Sequence, residues 1–332
     1  MHYLMYFQPG NQAARPGAKG RKIQLDSLFV INPNAGPAAG PREPERVIRS
    51  TFYGSGWRYE VCHSTHPGHA TDLARAGAAA GWQMIVAVGG DGTVNEVARA
   101  LVGGDCALGI LPSGSGNALA RALEIPLDLG EACRLLLDCR TLPLDAGMID
   151  GRLFFSTAGI GLDAQVSARY ASAGRRGFLA YARATVAALR QRLPETVSVT
   201  VDGNELGGKR LSLLTIANTS RFGYGLTIAP GARADDGVLD LCMLEDRGIA
   251  TLVWHGFRFF NESIAAMPGV TLARGRTMRI ERSSPGLLQT DGEVHTAGAV
   301  LHAEVVPGVI QVATANVPGR RRRTGSRIQP GS

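Results

Sequence analysis

Between residues 27 and 123 the chain alternates short solid apolar runs with longer stretches of helical periodicity. Ser27–Ile31 is a short apolar run that stops at Asn32-Pro33, and Tyr59–Cys62 reads as a second strand. Ala70–Ala80 is alanine-rich and reads as a helix. Met84–Val88 is continuously apolar, as expected of a strand buried on both faces. It ends at Gly89-Gly90-Asp91-Gly92, after which Val94, Val97, Ala98, Leu101 and Val102 fall on one helical face. Ala107–Leu111 repeats the buried-strand pattern, followed by Ser113–Asn117 and a helix through Leu123. This rhythm predicts an α/β domain with a mostly parallel sheet flanked by helices.

After about residue 143 the pattern changes. Val197–Val201 alternates and runs into Asp202-Gly203-Asn204, a hairpin signal. Leu211–Ala217, Val238–Leu244, Thr277–Glu281, Val300–Val306 and Val309–Ala313 also read as strands, with helical stretches near 177–192 and 249–262. The expected organisation is an extension over 1–24, an α/β domain over 25–143, a mainly antiparallel β domain over 144–307 and a tail over 317–332. A strand from about 308–316 is a candidate to return to the first domain.

Charge changes the picture only at the ends. The chain of 332 residues carries a formal net charge of +7. Residues 1–24 hold Arg15, Lys19, Arg21 and Lys22 and no acid; residues 317–332 hold Arg320, Arg321, Arg322, Arg323 and Arg327 and no acid. The body between them has 26 bases and 28 acids. Both ends are rich in Gly, Pro and polar residues and read as disordered. Their arginines could attract an anionic membrane, although a solvated charge run is the simpler reading. With no stacking platform or motif beside them, nucleic acid is not an expected partner. Five scattered cysteines without a C-x-x-C fit a reducing compartment, and no apolar run approaches the roughly 18 residues that span a bilayer. The expected location is cytoplasmic, with contact at the inner membrane surface open, as is a homodimer.

Two glycine-rich loops each follow a buried strand and precede a helix: Gly89-Gly90-Asp91-Gly92-Thr93, with Asn95 and Glu96, and Pro112-Ser113-Gly114-Ser115-Gly116-Asn117. Glycine lets the backbone approach a ligand, and the following helix offers free N–H groups and a positive dipole end. Two such loops at the same end of neighbouring strands predict a phosphate site. Neither is a P-loop or a dinucleotide fingerprint. Asp91 suits Mg²⁺ beside phosphate, with helix capping as the alternative.

Gly89 through Glu96 resembles the signature of the diacylglycerol kinase catalytic-domain family, whose superfamily includes sphingosine kinases and NAD kinases. Four more places agree in order: Asn32-Pro33-Asn34-Ala35-Gly36; Ser64 through Ala70; Pro112 through Arg121; and, as a pair, Asp235–Asp240 with Asp291-Gly292-Glu293. The resemblance implies an ATP- and Mg²⁺-dependent kinase acting on the hydroxyl of a lipid at a membrane surface. ATP would lie across Asn32–Gly36, Ser64, Thr65, Gly89–Thr93, Asn95, Glu96, Ser115 and Asn117. Asp291 and Glu293 would supply the catalytic carboxylate, and the alternative is a hairpin turn. Asp236, with the carbonyls of Arg233 and Val238, would hold a second Mg²⁺, against a plain turn aspartate. A kinase of a soluble substrate such as NAD, and a non-catalytic relative, are the competing readings.

Two positions depart from the family pattern. Ala118 stands where the family carries an acid, and Pro37 where a basic residue is common. Lost together, they cost less than one buried unpaired charge. Arg121 and Asp145 divide evenly between functional and structural readings. Arg175 and Arg176 read more simply as a solvated pair, and Ile249–Phe260 more simply as a packed core helix than as an acyl-chain groove. The roles of His66 and His69 are open.

Overall fold

A computed structural model describes residues 25–36, 42–174, 177–191 and 193–316. Both basic ends, Pro37, Arg175 and Arg176 lie outside the described residues. The first lobe runs β1 (Ser27–Ile31), α1 (Arg42–Phe52), β2 (Tyr59–His63), α2 (His69–Ala79), β3 (Met84–Gly89), α3 (Asp91–Leu101), β4 (Ala107–Pro112), α4 (Ala118–Ala122) and α5 (Leu129–Leu136). Its strands pair in parallel in the order β4-β3-β1-β2. Every residue of β1, β3 and β4 is buried, which accounts for their unbroken apolar runs. Helices cover the sheet through one core that includes Phe29, Ile85, Val97, Leu101, Leu108 and Leu136.

Next come β5 (Cys139–Ile149), β6 (Arg152–Phe154), β7 (Thr157–Gly161), α6 (Leu162–Ser172), α7 (Phe178–Arg190), β8 (Glu195–Val201), β9 (Asn204–Ala217), β10 (Leu239–Glu245), α8 (Ile249–His255), β11 (Val270–Gly275), β12 (Thr277–Arg282), β13 (Gly286–Thr290), β14 (Glu293–Ala297) and β15 (Val300–Ala315). The pairing here is antiparallel, in the order β14-β13-β7-β9-β8-β12-β15, with β10 on β9 and β11 on β10. The α/β and antiparallel-β fold class expected from the alternation is therefore observed.

The two stretches Val300–Val306 and Val309–Ala313 are one strand. β15 pairs with β12 through its first half and runs parallel to β4 at Gln311 and Val312. Its register against β5 shifts between Val306 and Ile310, around Gly308, whose φ is +58°. Asp145 of β5 clasps that bulge. Its carboxylate accepts N–H bonds from Gly308 and Gly237, both at 2.7 Å. Burial pushes the Asp145 carboxyl above its usual value despite these donors. Asp145 thus ties the junction of the two lobes together.

On β9 and β10 side chains alternate between two cores. Leu214, Ile216, Leu241 and Met243 face β8, β12 and β15, whereas Leu213, Ala217, Cys242 and Leu244 face the helices. The helical stretch expected over 249–262 is shorter: α8 ends at His255 and a 3₁₀ turn follows over Gly256–Phe259. Nor is it a packed core helix. Leu252 is buried, but Val253, Trp254, Phe257 and Phe260 are exposed.

Arg282, at the end of β12, is a fully buried guanidinium. It donates to the carbonyls of Gly286, Leu287, Ala297 and Gly298 at 2.8–3.1 Å, stapling both ends of the β13–β14 hairpin. Lysine has three donors around one nitrogen and cannot reproduce that fork. Arg282→Lys is expected to lower stability by about 2–4 kcal/mol in chemical denaturation.

Candidate active site

The loops that follow β1, β2, β3 and β4 all leave the carboxyl ends of parallel strands, and three of them meet backbone to backbone. Asn32 closes the first loop: its side-chain oxygen accepts from Asn34 N (3.0 Å) and its Nδ2 donates to Thr93 Oγ1 (2.9 Å). Pro33, Asn34 and Ala35 form the turn, and Gly36 has φ +107°. A Cβ on Gly36 would lie 2.8 Å from the Ser113 carbonyl oxygen. A Cβ on Gly114 would collide with the Cα of Gly90, and one on Gly116 would lie 2.6 Å from Asp91 Oδ2. Glycine is required at these places by proximity. Gly114→Ala is therefore expected to force the β3 and β4 loops apart, lowering nucleotide affinity at least about tenfold, at a stability cost of about 1–3 kcal/mol. Isothermal titration with a non-hydrolysable ATP analogue, beside a melting curve, checks both.

Asp91 is the first residue of α3, yet it caps another helix. Its two oxygens accept from Asn117 N (2.9 Å) and Ala118 N (2.6 Å), at the start of α4. Asn117 sits in the left-handed region at φ +52° and accepts from Gly114 N while donating to Gly114 O, closing its loop from inside. Arg121 donates to the Gly116 carbonyl at 3.0 Å. Ala118 thus contributes a backbone N–H where the family carries a side-chain acid. Burial raises the Asp91 carboxyl above its usual value, outweighing the two N–H donors and Arg121.

Glu96, also on α3, holds the second loop. Its carboxylate accepts from Gly68 N and Ala70 N at the start of α2 (3.1 and 3.2 Å). Thr65 bonds His69 Nδ1 through its N–H and its hydroxyl, and the rings of His66 and His69 stack at 4.9 Å. Ser64 N binds the Ile31 carbonyl and joins the ends of β1 and β2. Asn95 is buried within α3. Ser64 and Glu96 therefore build the frame that carries the loops.

Two partners of the site had no signal in the sequence. Ser115 Oγ lies 2.9 Å from the Tyr224 hydroxyl, which lies 2.9 Å from that of Tyr170. Tyr224 has φ +62°, a strained value for an aromatic residue, and burial pushes its hydroxyl up to about 12. Arg99, in the last turn of α3, grips both oxygens of Glu293 at 2.9 and 3.0 Å. This pair brings the Asp291-Gly292-Glu293 hairpin onto the helix that Asp91 begins.

The two acids of that hairpin differ. Asp291, at φ +50°, accepts from Phe155, Ser156 and Thr157 N–H at 2.7–3.0 Å. Burial nevertheless raises it to about 6. Glu293 is exposed apart from Arg99. Behind them Gln289 accepts from Gly292 N (2.8 Å) and donates to the buried Asp163 (3.0 Å), which also accepts from Thr215 Oγ1.

Burial raises Asp163 from the ordinary 3.8 to about 6. The stability it contributes is complete below the unfolded value near 4 and is lost as pH rises through 6. Asp163→Asn is expected to flatten the fall in stability between pH 5 and pH 8 by about 1–1.5 kcal/mol, the part of the full loss that remains above pH 5, read from denaturation at both pH values.

The second Mg²⁺ expected at Arg233, Asp236 and Val238 meets a cation of the protein's own. Arg274 binds Asp236 and, at 3.0 Å, Asp240, while the Arg233 side chain is paired with Asp235. Among the described residues no group of three or more His, Cys, Asp or Glu side chains is arranged for a metal. Asp236 is thus engaged by Arg274 at the place where the second Mg²⁺ is expected. The glycine cradle fits a nucleotide: Ser113 Oγ is buried there with no hydrogen-bond partner among the described residues, as suits a phosphate oxygen. Asp91, a buried carboxylate with lone pairs to spare, fits the nucleotide's Mg²⁺.

Comparison with known proteins settles the family. A model of the diacylglycerol kinase catalytic domain matches residues 26–149. A model of the YegS C-terminal NAD kinase beta sandwich-like domain matches residues 156–314. A diacylglycerol kinase of Mycobacterium tuberculosis (strain CDC 1551 / Oshkosh) is 31% identical over 254 residues, 73% of this chain and 80% of that one. The chain belongs to the diacylglycerol kinase family. This kinase is also 29% identical to a diacylglycerol kinase of Bacillus subtilis over 283 residues, 84% of its own length and 92% of the relative's. Its fold matches the crystal structure of a diacylglycerol kinase from Bacillus anthracis with a TM-score of 0.70 at 20% identity, covering 89% of this chain and 99% of that one. Among the described residues of this kinase no helix is long and apolar enough to cross a membrane.

Proposed function

We propose that this kinase transfers the γ-phosphoryl group of ATP, with Mg²⁺, to the hydroxyl of a membrane lipid of the diacylglycerol class. The observation that carries the reading is the meeting of the Asn32–Gly36, Gly89–Asp91 and Pro112–Asn117 loops around the Ser113 hydroxyl, which has no partner among the described residues, with Asp91 beneath them. Mg²⁺ bound with the nucleotide supplies charge neutralisation for the transferring group. The residues of the chain do the rest. Backbone N–H groups of the glycine loops and Ser113 orient the phosphates, Asp91 holds the β4 loop and the metal, and Tyr224 fixes the Ser115 hydroxyl. Glu293, oriented by Arg99 and otherwise exposed, is the carboxylate placed to accept the acceptor hydroxyl's proton, because the oxygens of Asp291 are committed to three buried backbone donors.

The test is transfer of radiolabelled γ-phosphate from ATP to diacylglycerol and other hydroxyl lipids in mixed micelles, with NAD as the soluble control. Label in a chloroform-extractable product that disappears on chelation of Mg²⁺ is the expected result. Label in NADP alone would move the acceptor to a soluble molecule.

A further inference from the structure

Twelve consecutive residues, Ile249–Phe260, pair large exposed apolar side chains with an absence of acid. Val253 is 68% exposed, Trp254 78%, Phe257 53% and Phe260 58%. The same segment is anchored from beneath, by Leu252 and Phe259 against the helix-side core of β9 and β10. The exposed side chains are therefore held outward by a fixed backbone. Single exposed apolar residues are ordinary; four on one α8–3₁₀ segment form a patch that calls for a partner.

The charges choose the partner. The segment's ionisable groups are His255 and Arg258, and the Arg258 guanidinium lies 5.3 Å over the Phe257 ring, presenting cation and aromatic surface together. Aromatic side chains beside arginine suit the headgroup level of an anionic bilayer, where the ring is half immersed and the cation meets phosphate. The patch also adjoins the nucleotide crevice. Thr227 N donates to the Phe259 carbonyl at 2.6 Å, Arg221 pairs with Glu262 at 2.8 Å, and the same 221–227 loop carries Tyr224, which bonds Ser115. We propose that Ile249–Phe260 docks this kinase on the surface of an anionic lipid bilayer, with Trp254, Phe257 and Phe260 seated among the headgroups. Docking there sets the mouth of the crevice at the membrane surface; this placement, though not the docking itself, rests on the lipid-kinase reading above.

The experiment is co-sedimentation of the full chain with vesicles of phosphatidylcholine, alone or mixed with phosphatidylglycerol, without nucleotide. The wild type and Trp254→Ser/Phe257→Ser are compared at low and high salt. Both substituted side chains are exposed, and unchanged melting curves verify the fold. The wild type is expected to favour the phosphatidylglycerol vesicles and to keep part of its binding at high salt, where attraction of the basic ends is screened. The double variant should partition at least tenfold less at high salt, and the wild-type tryptophan emission should shift to the blue on binding. Equal partition of variant and wild type would overturn the proposal. So would a wild-type dimer in solution that the double variant dissolves, since the patch would then belong to a second copy. Vesicle binding with no lipid phosphorylated would leave the docking intact and remove only the substrate reading.

Discussion

Asp91→Asn is expected to lower phosphoryl transfer by at least about 10³-fold while leaving a folded protein. Two effects combine. In the proposed function the carboxylate supplies the negative charge that a nucleotide-bound Mg²⁺ would require, and the amide has none. The carboxylate also accepts two N–H groups at the start of α4, Asn117 at 2.9 Å and Ala118 at 2.6 Å. Asparagine can accept one of these through Oδ1, but its NH₂ then faces the other donor. That mismatch costs about 1–3 kcal/mol. The β4 loop should loosen, and Gly114 should withdraw from Gly90. The two effects separate on titration with ATP analogue in the presence and absence of Mg²⁺. Wild-type protein should gain affinity from the metal. The variant should gain little, and should bind the metal-free analogue less well than the wild type does. Full turnover by Asp91→Asn would remove the residue from the mechanism.

The sequence carried the parts of the site whose constraint is local. Gly89–Gly92 and Pro112–Asn117 stand out because close approach at Gly114 and Gly116 admits only glycine, and because buried parallel strands leave solid apolar runs before them. Contacts between distant segments leave no such trace. Arg99 and Glu293 are 194 residues apart, and nothing in the periodicity of α3 marks Arg99 as their link. Tyr224 lies in a loop with no regular pattern, so its bond to Ser115 was invisible. The capping alternative for Asp91 was half right: the side chain does cap a helix, but α4, whose position depends on the β3–β4 pairing. β5 escaped the strand reading because Pro143 and Asp145 interrupt its alternation, and both sit where β5 meets the bulge of β15. The helix near 249–262 misled for a different reason. Its apolar content reads as core, yet the anchors Leu252 and Phe259 occupy one side and the aromatic surface stands on the other. Composition counts apolar residues without showing which side of the backbone has a partner.

The clearest separation of roles should come from the two acids of the β13–β14 turn, substituted one at a time. Glu293→Gln keeps size and one acceptor oxygen but cannot take a proton. Turnover should fall by about 10²- to 10⁴-fold with stability close to wild type, because the bond lost to Arg99 is an exposed one. Asp291→Asn should do the reverse first. Three backbone N–H groups, those of Phe155, Ser156 and Thr157, converge on its two oxygens, and the amide has only one oxygen to offer them. A backbone donor left facing the NH₂ group, and charge-assisted bonds weakened to neutral ones, should cost about 3–5 kcal/mol. The hairpin that carries Glu293 would then lose its register, and activity would fall as a consequence. Denaturation curves and turnover of the two variants, measured side by side, tell the roles apart. If Asp291→Asn were as stable as wild type but inactive, the proton acceptor would be Asp291, and Glu293 would be the residue that holds Arg99 in place.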